Sequence, residues 1–134
     1  MWLYNFGLTL YAWIVRLVAP RYPKARLWTD GRKALFERMR RAIDPEARII
    51  WIHVASLGEF EQGRPIIEQI RRLHPEFKIL LTFFSPSGYE IRKNYPGAEY
   101  IFYLPIDTPR NARTFLDIAH PEIAIFVKYE FWIN

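Results

Sequence analysis

One carboxylate, Glu59, stands where parallel α/β enzymes usually place their reactive groups. The segment Trp51-Ile-His-Val-Ala-Ser-Leu-Gly-Glu59 runs from an apolar, strand-like stretch through small residues into a helical pattern. The carboxyl ends of parallel strands and the amino ends of helices meet in one crevice. A carboxylate there either complements the helix dipole or acts as a base for a hydroxyl group. The position of Glu59 in the first helical turn alone favours the dipole role, whereas the rest of the chain favours a role as a base.

Two loops at the predicted crevice offer binding groups. Ser56 can donate to a phosphate or sugar oxygen, and Gly58 permits a tight turn and close approach of a ligand to the backbone. Ser85, Ser87 and Gly88 open a later helix with two hydroxyl groups, and such a helix terminus attracts anions. Plain capping by Ser85 is compatible with that role. The sequence around Ser56 lacks the G-x-S-x-G pattern of a nucleophilic serine.

Two further polar residues have competing interpretations. Glu130 stands between Tyr129 and Phe131, so it is either a partly buried structural acceptor or a sugar-binding group, because aromatic neighbours suit both. His53 lies within the predicted strand and is interpreted as a core histidine with a satisfied hydrogen bond rather than a catalytic one.

Composition excludes several kinds of chemistry. The chain of 134 residues is 51% hydrophobic and 17% aromatic, which is enough for one ordered domain. It contains no cysteine and three widely spaced histidines, so no metal or thiol site is predicted. The sequence also lacks the G-x-G-x-x-G dinucleotide motif and the P-loop.

The first 20 residues form an apolar segment with one charge, Arg16, and a basic stretch follows it. Its length is marginal for a spanning helix, which needs about 20 apolar residues. Aromatic residues of this kind prefer the headgroup level, and basic residues beyond it favour a cytoplasmic location for the following domain. The alternative is a buried core helix. The residues predicted to contact membrane or anionic lipid are Trp2, Trp13, Arg16, Arg21, Lys24 and Arg26.

Strands and helices alternate through the rest of the chain, which predicts an α/β fold with a parallel sheet. The fourth strand is an unbroken apolar run, typical of a strand covered on both faces. Predicted helices cover 29–42 (capped by Thr29 or Asp30), 60–73 (starting late or bending at Pro65), 86–94 and 108–118, and predicted strands cover 48–54, 78–84, 100–104 and 123–127.

The ordered motifs W-x-H-x-x-S-x-G-E, L-L-T-x-x-S-P-S-G, Y-L-P-x-D and K-Y-E-F-W-x-N resemble the amino-terminal half of 3-deoxy-D-manno-octulosonic acid (Kdo) transferase. The resemblance runs from about Leu27 to Asn134. It implies a Rossmann-like, acceptor-binding domain of a GT-B glycosyltransferase, preceded by a membrane-anchoring helix. Tyr129 and Ile133 depart from the common family form, in which threonine and proline stand there.

The resemblance implies an inverting, metal-independent transfer of Kdo from CMP-Kdo to a lipid A precursor in lipopolysaccharide biosynthesis, without a cofactor. Glu59 would be the general base. Ser56, Gly58, Ser85, Ser87, Gly88 and Glu130 would bind the acceptor. The expected location is the cytoplasmic face of the cell inner membrane.

The expected organisation is an anchor helix over 1–20, a basic linker and helix over 21–47, and an incomplete acceptor-binding domain over 48–134. Without the donor-binding domain, this fragment is expected to be inactive alone. Two alternatives remain open: a non-enzymatic module that binds anionic membranes, and a soluble Rossmann domain that binds nucleotides. Nucleic acid is not an expected partner, because the basic residues precede the sheet and no recognition motif is present.

Overall fold

A computed structural model describes residues 2–128 and 134, so the predicted site residue Glu130 lies outside the described residues. Within them, the chain forms helices and strands in an alternating order after residue 48. The helices are α1 Trp2–Val18, α2 Pro23–Asp30, α3 Leu35–Ala42, α4 Leu57–Leu73, α5 Pro86–Arg92 and α6 Pro109–Ala119, and the strands are β1 Ile49–Val54, β2 Lys78–Phe83, β3 Tyr100–Tyr103 and β4 Ile123–Phe126.

The four strands form one parallel sheet in the order β3-β2-β1-β4. In its register, Trp51 of β1 lies opposite Leu80 of β2 and Ala124 of β4. Because all four strands run in the same direction, the loops that follow them leave the sheet at one side, the carboxyl edge. The sheet confirms the predicted α/β class and is consistent with a Rossmann-like fold.

Helices cover both faces of the sheet. Strand side chains alternate between the two faces, so neighbouring residues of one strand pack in different layers. On one face, Trp51 packs with Met39 of α3 and Phe115 of α6. On the other face, Ile52 packs in a cluster with Phe60 of α4. Full burial of one such side chain contributes about 1.5–3 kcal/mol, so these two layers fix the sheet and its carboxyl edge in place.

Helix α4 begins at Leu57, before the predicted start at Phe60, and continues through Pro65. A proline inside a helix removes one backbone hydrogen bond. Because α4 starts at Leu57, the expectation that Pro65 makes this helix start late is wrong. Phe60 and Ile67 are fully buried on the inner face of α4, and their packing outweighs the local cost of the proline.

The predicted helix over 29–42 is confirmed from Leu35 to Ala42, as α3, but its predicted start is wrong because residues 31–34 separate α3 from α2. Thr29 and Asp30 end α2 instead of capping the next helix, and Ala34 is the N-cap residue of α3. Ala34 has a left-handed backbone with φ of 48°. Pro23 at the first helical position favours the earlier start of α2. The apolar spacing alone did not reveal the break between them.

Strand β4 is not covered on both faces, so that interpretation of its apolar sequence is wrong for the described residues. Ile123 is 50% exposed and Phe126 is 37% exposed. The physical reason is that the described helices pack mainly on the other three strands, since β3 at the opposite end of the sheet still buries Phe102 and Tyr103. An apolar run therefore identified the strand correctly but did not identify its place in the sheet.

Helix α1 contacts the domain along one side and exposes large apolar side chains elsewhere. The Tyr4 hydroxyl donates to Asp107 Oδ2 at 2.7 Å. Trp2 and Trp13 are 76% and 58% exposed. The alternative of a buried core helix does not fit these exposures. Among the described residues, no helix has both the length and the apolar character needed to cross a bilayer, and membrane anchoring stays a prediction.

The ion pair between Glu99 and Arg71 contributes to the free energy of unfolding in a way that depends on pH. Burial would raise the pKa of Glu99, but hydrogen bonds from the Ile79 amide and the Arg71 guanidinium outweigh it and hold the pKa below the ordinary 4.5. In acid, the unfolded chain therefore binds more protons than the folded chain, so the free energy of unfolding falls with the pH. The stabilisation is present above the unfolded pKa and is lost as the pH falls through the folded pKa.

We expect Glu99→Gln to lower the free energy of unfolding at pH 7 by no more than about 1 kcal/mol, because solvent screens a partly exposed group. Urea unfolding at pH 7 and at pH 3 measures this difference, which should shrink at the lower pH. Glu46→Gln, at an exposed position, is the control. An equal loss at both pH values would contradict the account.

Candidate functional site at the carboxyl edge

Glu59 lies in the first turn of α4, and its carboxylate turns back to the end of β1. Its Oε2 accepts a hydrogen bond from the Ala55 amide at 2.6 Å. Ser56 is the N-cap residue but makes no side-chain capping bond. The Ser56-to-Glu59 spacing is that of a capping box, but a capping box would join Glu59 to the Ser56 amide, whereas the observed donor is the Ala55 amide. The described residues donate no hydrogen bond to Oε1, so one carboxylate oxygen is fixed and the other stays available.

Ala55 also joins the loops that follow β1 and β2. The Ser85 amide donates to the Ala55 carbonyl at 2.8 Å, so Ala55 holds Glu59 through its N–H and the second loop through its C=O. Ser85 Oγ accepts from the Ser87 amide at 3.3 Å, which confirms the predicted cap. The structure therefore brings two of the predicted loops together at the carboxyl edge.

The two predicted site glycines have different structural roles. Gly58 is exposed, has no positive φ, and has no atom within 4 Å of the position that a Cβ would take. Gly58 therefore lies in the first turn of α4 rather than in a separate tight turn, and the open space beside it leaves room for a ligand. Gly88 is buried, and a Cβ there would lie 2.4 Å from the Phe83 ring and 3.1 Å from the Leu57 nitrogen. Close packing of α5 therefore requires glycine at position 88.

His53 is a core residue, as interpreted from the sequence, because it is 1% exposed and lies on β1. Its Nδ1 lies 2.8 Å from Thr82 Oγ1. The Trp51 indole donates to the same oxygen, also at 2.8 Å. This hydroxyl links β1 to β2 inside the core, a role that the place of Thr82 in the sequence did not reveal.

Asp107 connects three parts of the chain near the carboxyl edge, a role that its place in the Y-L-P-x-D motif did not reveal. It is 7% exposed and follows β3. Its Oδ2 accepts hydrogen bonds from the Tyr4 hydroxyl at 2.7 Å and the Asn134 amide at 3.2 Å. The Asn134 side chain also bonds Asn5 of α1 at 2.8 Å. These bonds hold α1 against the loop that follows β3.

Arg32, between α2 and α3, binds three backbone carbonyls at this edge. Its Nε donates to Leu104 at 2.9 Å, Nη1 to Trp28 at 3.1 Å and Nη2 to Phe84 at 3.0 Å. Burial lowers the pKa of Arg32 to about 9, so the guanidinium stays charged at neutral pH. Arg32 belongs to the basic stretch of the sequence, and its neighbours Gly31 and Lys33 give no signal that its side chain reaches the sheet.

The residues predicted to contact membrane or anionic lipid lie on and near α1 and α2, and Lys24 lines a cavity together with Ser85 and Pro86 of the loop after β2. All are exposed, and they are Trp2, Trp13, Arg16, Arg21, Lys24 and Arg26. Across residues 2–128 and 134, no group of three histidine, aspartate or glutamate side chains is placed to hold a metal ion.

A family description, "3-Deoxy-D-manno-octulosonic-acid transferase (kdotransferase)", matches residues 32–134. The chain belongs to the Kdo transferase family. The match includes the sheet and both loops around Glu59.

Curated members of the Kdo transferase family match the same region. The chain is 31% identical over 91 residues to 3-deoxy-D-manno-octulosonic acid transferase of Haemophilus influenzae, covering 67% of this chain and 21% of that protein. It is 37% identical over 84 residues to the Aquifex aeolicus protein of the same name, covering 62% and 23%. A probable mitochondrial member from Arabidopsis thaliana is 32% identical over 94 residues, covering 69% and 21%. The chain therefore matches about a fifth of the length of these relatives.

The two glycines give a matched pair of substitutions. We expect Gly88→Ala to lower the free energy of unfolding by about 1–3 kcal/mol, because the new methyl group overlaps a buried ring. Gly58→Ala should raise it by about 0.5–1 kcal/mol, because alanine favours the helix and the space is open. Urea denaturation of both variants measures these changes. Equal effects of the two substitutions would contradict the packing role of Gly88.

Proposed function

We propose that this chain is the acceptor side of a glycosyltransferase that moves Kdo from CMP-Kdo to a lipid A precursor in lipopolysaccharide biosynthesis. Support comes from the family match, the names of the relatives and the position of Glu59 at the carboxyl edge. Parallel α/β sheets bind their ligands at this edge. The relatives are several times longer than the matched region, so the donor would bind elsewhere in such a protein and the chain alone would not turn over.

The observation that carries the proposed mechanism is the asymmetric hydrogen bonding of Glu59. Oε2 is fixed by the Ala55 amide, and no described residue donates to Oε1. Oε1 takes the proton from an acceptor hydroxyl as that oxygen attacks the anomeric carbon of Kdo and CMP leaves from the opposite face. The configuration at that carbon inverts. Ser56, Gly58, Ser85, Ser87, Gly88 and Glu130 are the proposed acceptor-binding residues.

The proposed mechanism uses no metal ion and no cofactor, and this part of it rests on the family resemblance.

The role of Glu59 as a base differs from a purely structural capping role, because a cap requires an acceptor oxygen and a base requires a carboxylate. An amide side chain preserves the first property and removes the second.

Glu59→Gln in a chain that includes the donor-binding region should lower kcat by about 10²–10⁴-fold, because a positioned general base contributes that much. Its melting temperature should change little, since the glutamine oxygen still accepts from Ala55. Transfer of radiolabelled Kdo and thermal unfolding measure the two effects. Glu68→Gln, exposed on the same helix, is the control. Near-full activity of Glu59→Gln would exclude the base assignment.

The proposed location is the cytoplasmic face of the inner membrane, with α1 lying in the plane of the bilayer surface. Support comes from the exposed aromatic residues Trp2 and Trp13 and from the exposed basic residues that follow α1. Basic residues near an anionic surface each contribute about 1 kcal/mol of attraction. Aromatic side chains favour the headgroup region.

Replacing Trp2 and Trp13 together by serine should weaken binding to anionic liposomes at least tenfold, measured by flotation at low salt. The physical reason is the loss of about 1.5–3 kcal/mol for each buried aromatic side chain. Leu73→Ser with Leu116→Ser, exposed positions on α4 and α6, is the control. Unchanged binding of the tryptophan variant would contradict the membrane role of α1.

The same flotation assay separates the transferase from the non-enzymatic alternative. Liposomes that contain lipid A precursor should bind the chain more tightly than liposomes of equal surface charge without it. Equal binding to both would favour the simple membrane module. Saturable binding of a free nucleotide to the chain would instead favour the nucleotide-binding alternative.

A further inference from the structure

Arg32 is a charged side chain without a negative partner among the described residues. Its three protein acceptors are neutral carbonyls. Its guanidinium carbon lies 4.1 Å from the centre of the Trp28 ring and 4.8 Å from that of Tyr103. Carbonyl groups and aromatic faces stabilise a cation only in part. A charge taken out of water normally requires a paired charge as well, and this one lacks it.

A cavity of about 480 Å³ lies next to Arg32, between the end of α1, the segment joining α2 to α3 and the loop after β3. Arg16 and Lys33 also line it, and Glu37 is its one carboxylate among the described lining residues. Glu37 pairs with Arg41. Lys33 pairs with Asp30 at 2.6 Å in an exposed ion pair, which contributes little and can exchange partners. The cavity therefore carries an excess of positive charge.

The hydrogen-bonding groups around the cavity also favour an anion. A guanidinium has five N–H donors, and the protein uses three of those of Arg32. Trp28 lines the same cavity, is 5% exposed, and has an indole N–H without an acceptor among the described residues. The volume is many times the share of about 30 Å³ that one water molecule occupies in the liquid. The cavity is short of acceptors and has room for a ligand that supplies them.

We propose that this cavity binds a phosphate monoester, with Arg32 as the fixed cation and Arg16 and Lys33 as mobile ones. A phosphate monoester carries close to two negative charges and three acceptor oxygens at neutral pH, which match this set of donors. The planar guanidinium also suits a phosphate better than an ammonium group does. The site itself rests on the geometry around Arg32, and only the identity of the phosphate's carrier rests on the proposed function.

The location connects this cavity to the carboxyl edge. Arg32 bonds Phe84, the residue before Ser85, and Leu104, which follows β3. Arg16 comes from the end of α1, whose exposed face is the proposed membrane surface. A phosphorylated glycolipid could place its phosphate in the cavity while its sugar reaches the loop of Glu59. This arrangement would fix the register of an acceptor on the sheet.

The competing explanation is that Arg32 only fastens α2 and α3 to the sheet, with Arg16 and Lys33 as ordinary surface charges. Titration calorimetry with inorganic phosphate at constant ionic strength separates the two explanations. We expect saturable binding that Arg16→Gln with Lys33→Gln weakens at least tenfold. Both residues are exposed, so the fold should survive their replacement. Arg21→Gln with Arg40→Gln removes the same charge outside the cavity and should weaken binding less than twofold.

Arg32→Lys tests the fixed cation directly, since it keeps the charge and loses the planar fork. We expect phosphate to raise the melting temperature of the unmodified chain and to have at most half that effect on this variant. Absence of saturable phosphate binding, or equal weakening by the two charge-removing pairs, would overturn the site.

Vesicles distinguish a lipid phosphate from a free one. Those with phosphatidic acid present a monoester, and those with phosphatidylglycerol present a diester at matched surface charge. Tighter binding to phosphatidic acid, lost in the Arg16→Gln and Lys33→Gln variant, supports a lipid carrier. Binding of inorganic phosphate without that preference overturns the lipid carrier and leaves the site. Loss of phosphate binding would not affect the Glu59→Gln result, so failure of this site and failure of the transferase are separate outcomes.

Discussion

The hydrogen bonds of Ala55 organise the carboxyl edge of the sheet. Its N–H holds the Glu59 carboxylate and its C=O holds the Ser85 amide, so one residue at the end of β1 fixes two loops. This is possible because β1 and β2 are adjacent parallel strands that end together, with Val54 opposite Phe83. The packed layers on both faces keep the strand ends in register. A carboxylate on a loop would move freely, whereas this one is restrained through one oxygen.

The amino-terminal helices belong to the same edge. Arg32 ties the segment between α2 and α3 to the carbonyls of Phe84 and Leu104, and Asp107 ties α1 to the loop after β3. In the proposed enzyme, the surface that meets the bilayer and the group that takes a proton are therefore connected through short, polar contacts. A lipid acceptor approaching from the membrane would reach the crevice along α1. This geometry gives a physical reason why the apolar helix α1 and the basic residues after it are joined to a parallel sheet.

Sequence reasoning predicted the sheet well because strand periodicity and cap residues are local signals. Ser85 caps α5, as its position before Pro86 indicated. Features that depend on distant contacts were not predicted. The break before Ala34 and the exposure of β4 arise from tertiary position, and the contacts of Arg32 join residues far apart in the chain. Glu59 was found because its spacing from the strand is local, but its bond to Ala55 required the structure.

The central claim is that an acceptor sugar binds at the carboxyl edge beside Glu59. Amide chemical shifts of the labelled chain, recorded while a phosphorylated glucosamine disaccharide acceptor is added, test it most directly. The account predicts saturable shifts at Ala55, Glu59 and Ser85, with little change at Lys78 and Glu122 at the opposite edge of the sheet. Shifts confined to that opposite edge, or to the exposed face of α1, would contradict it.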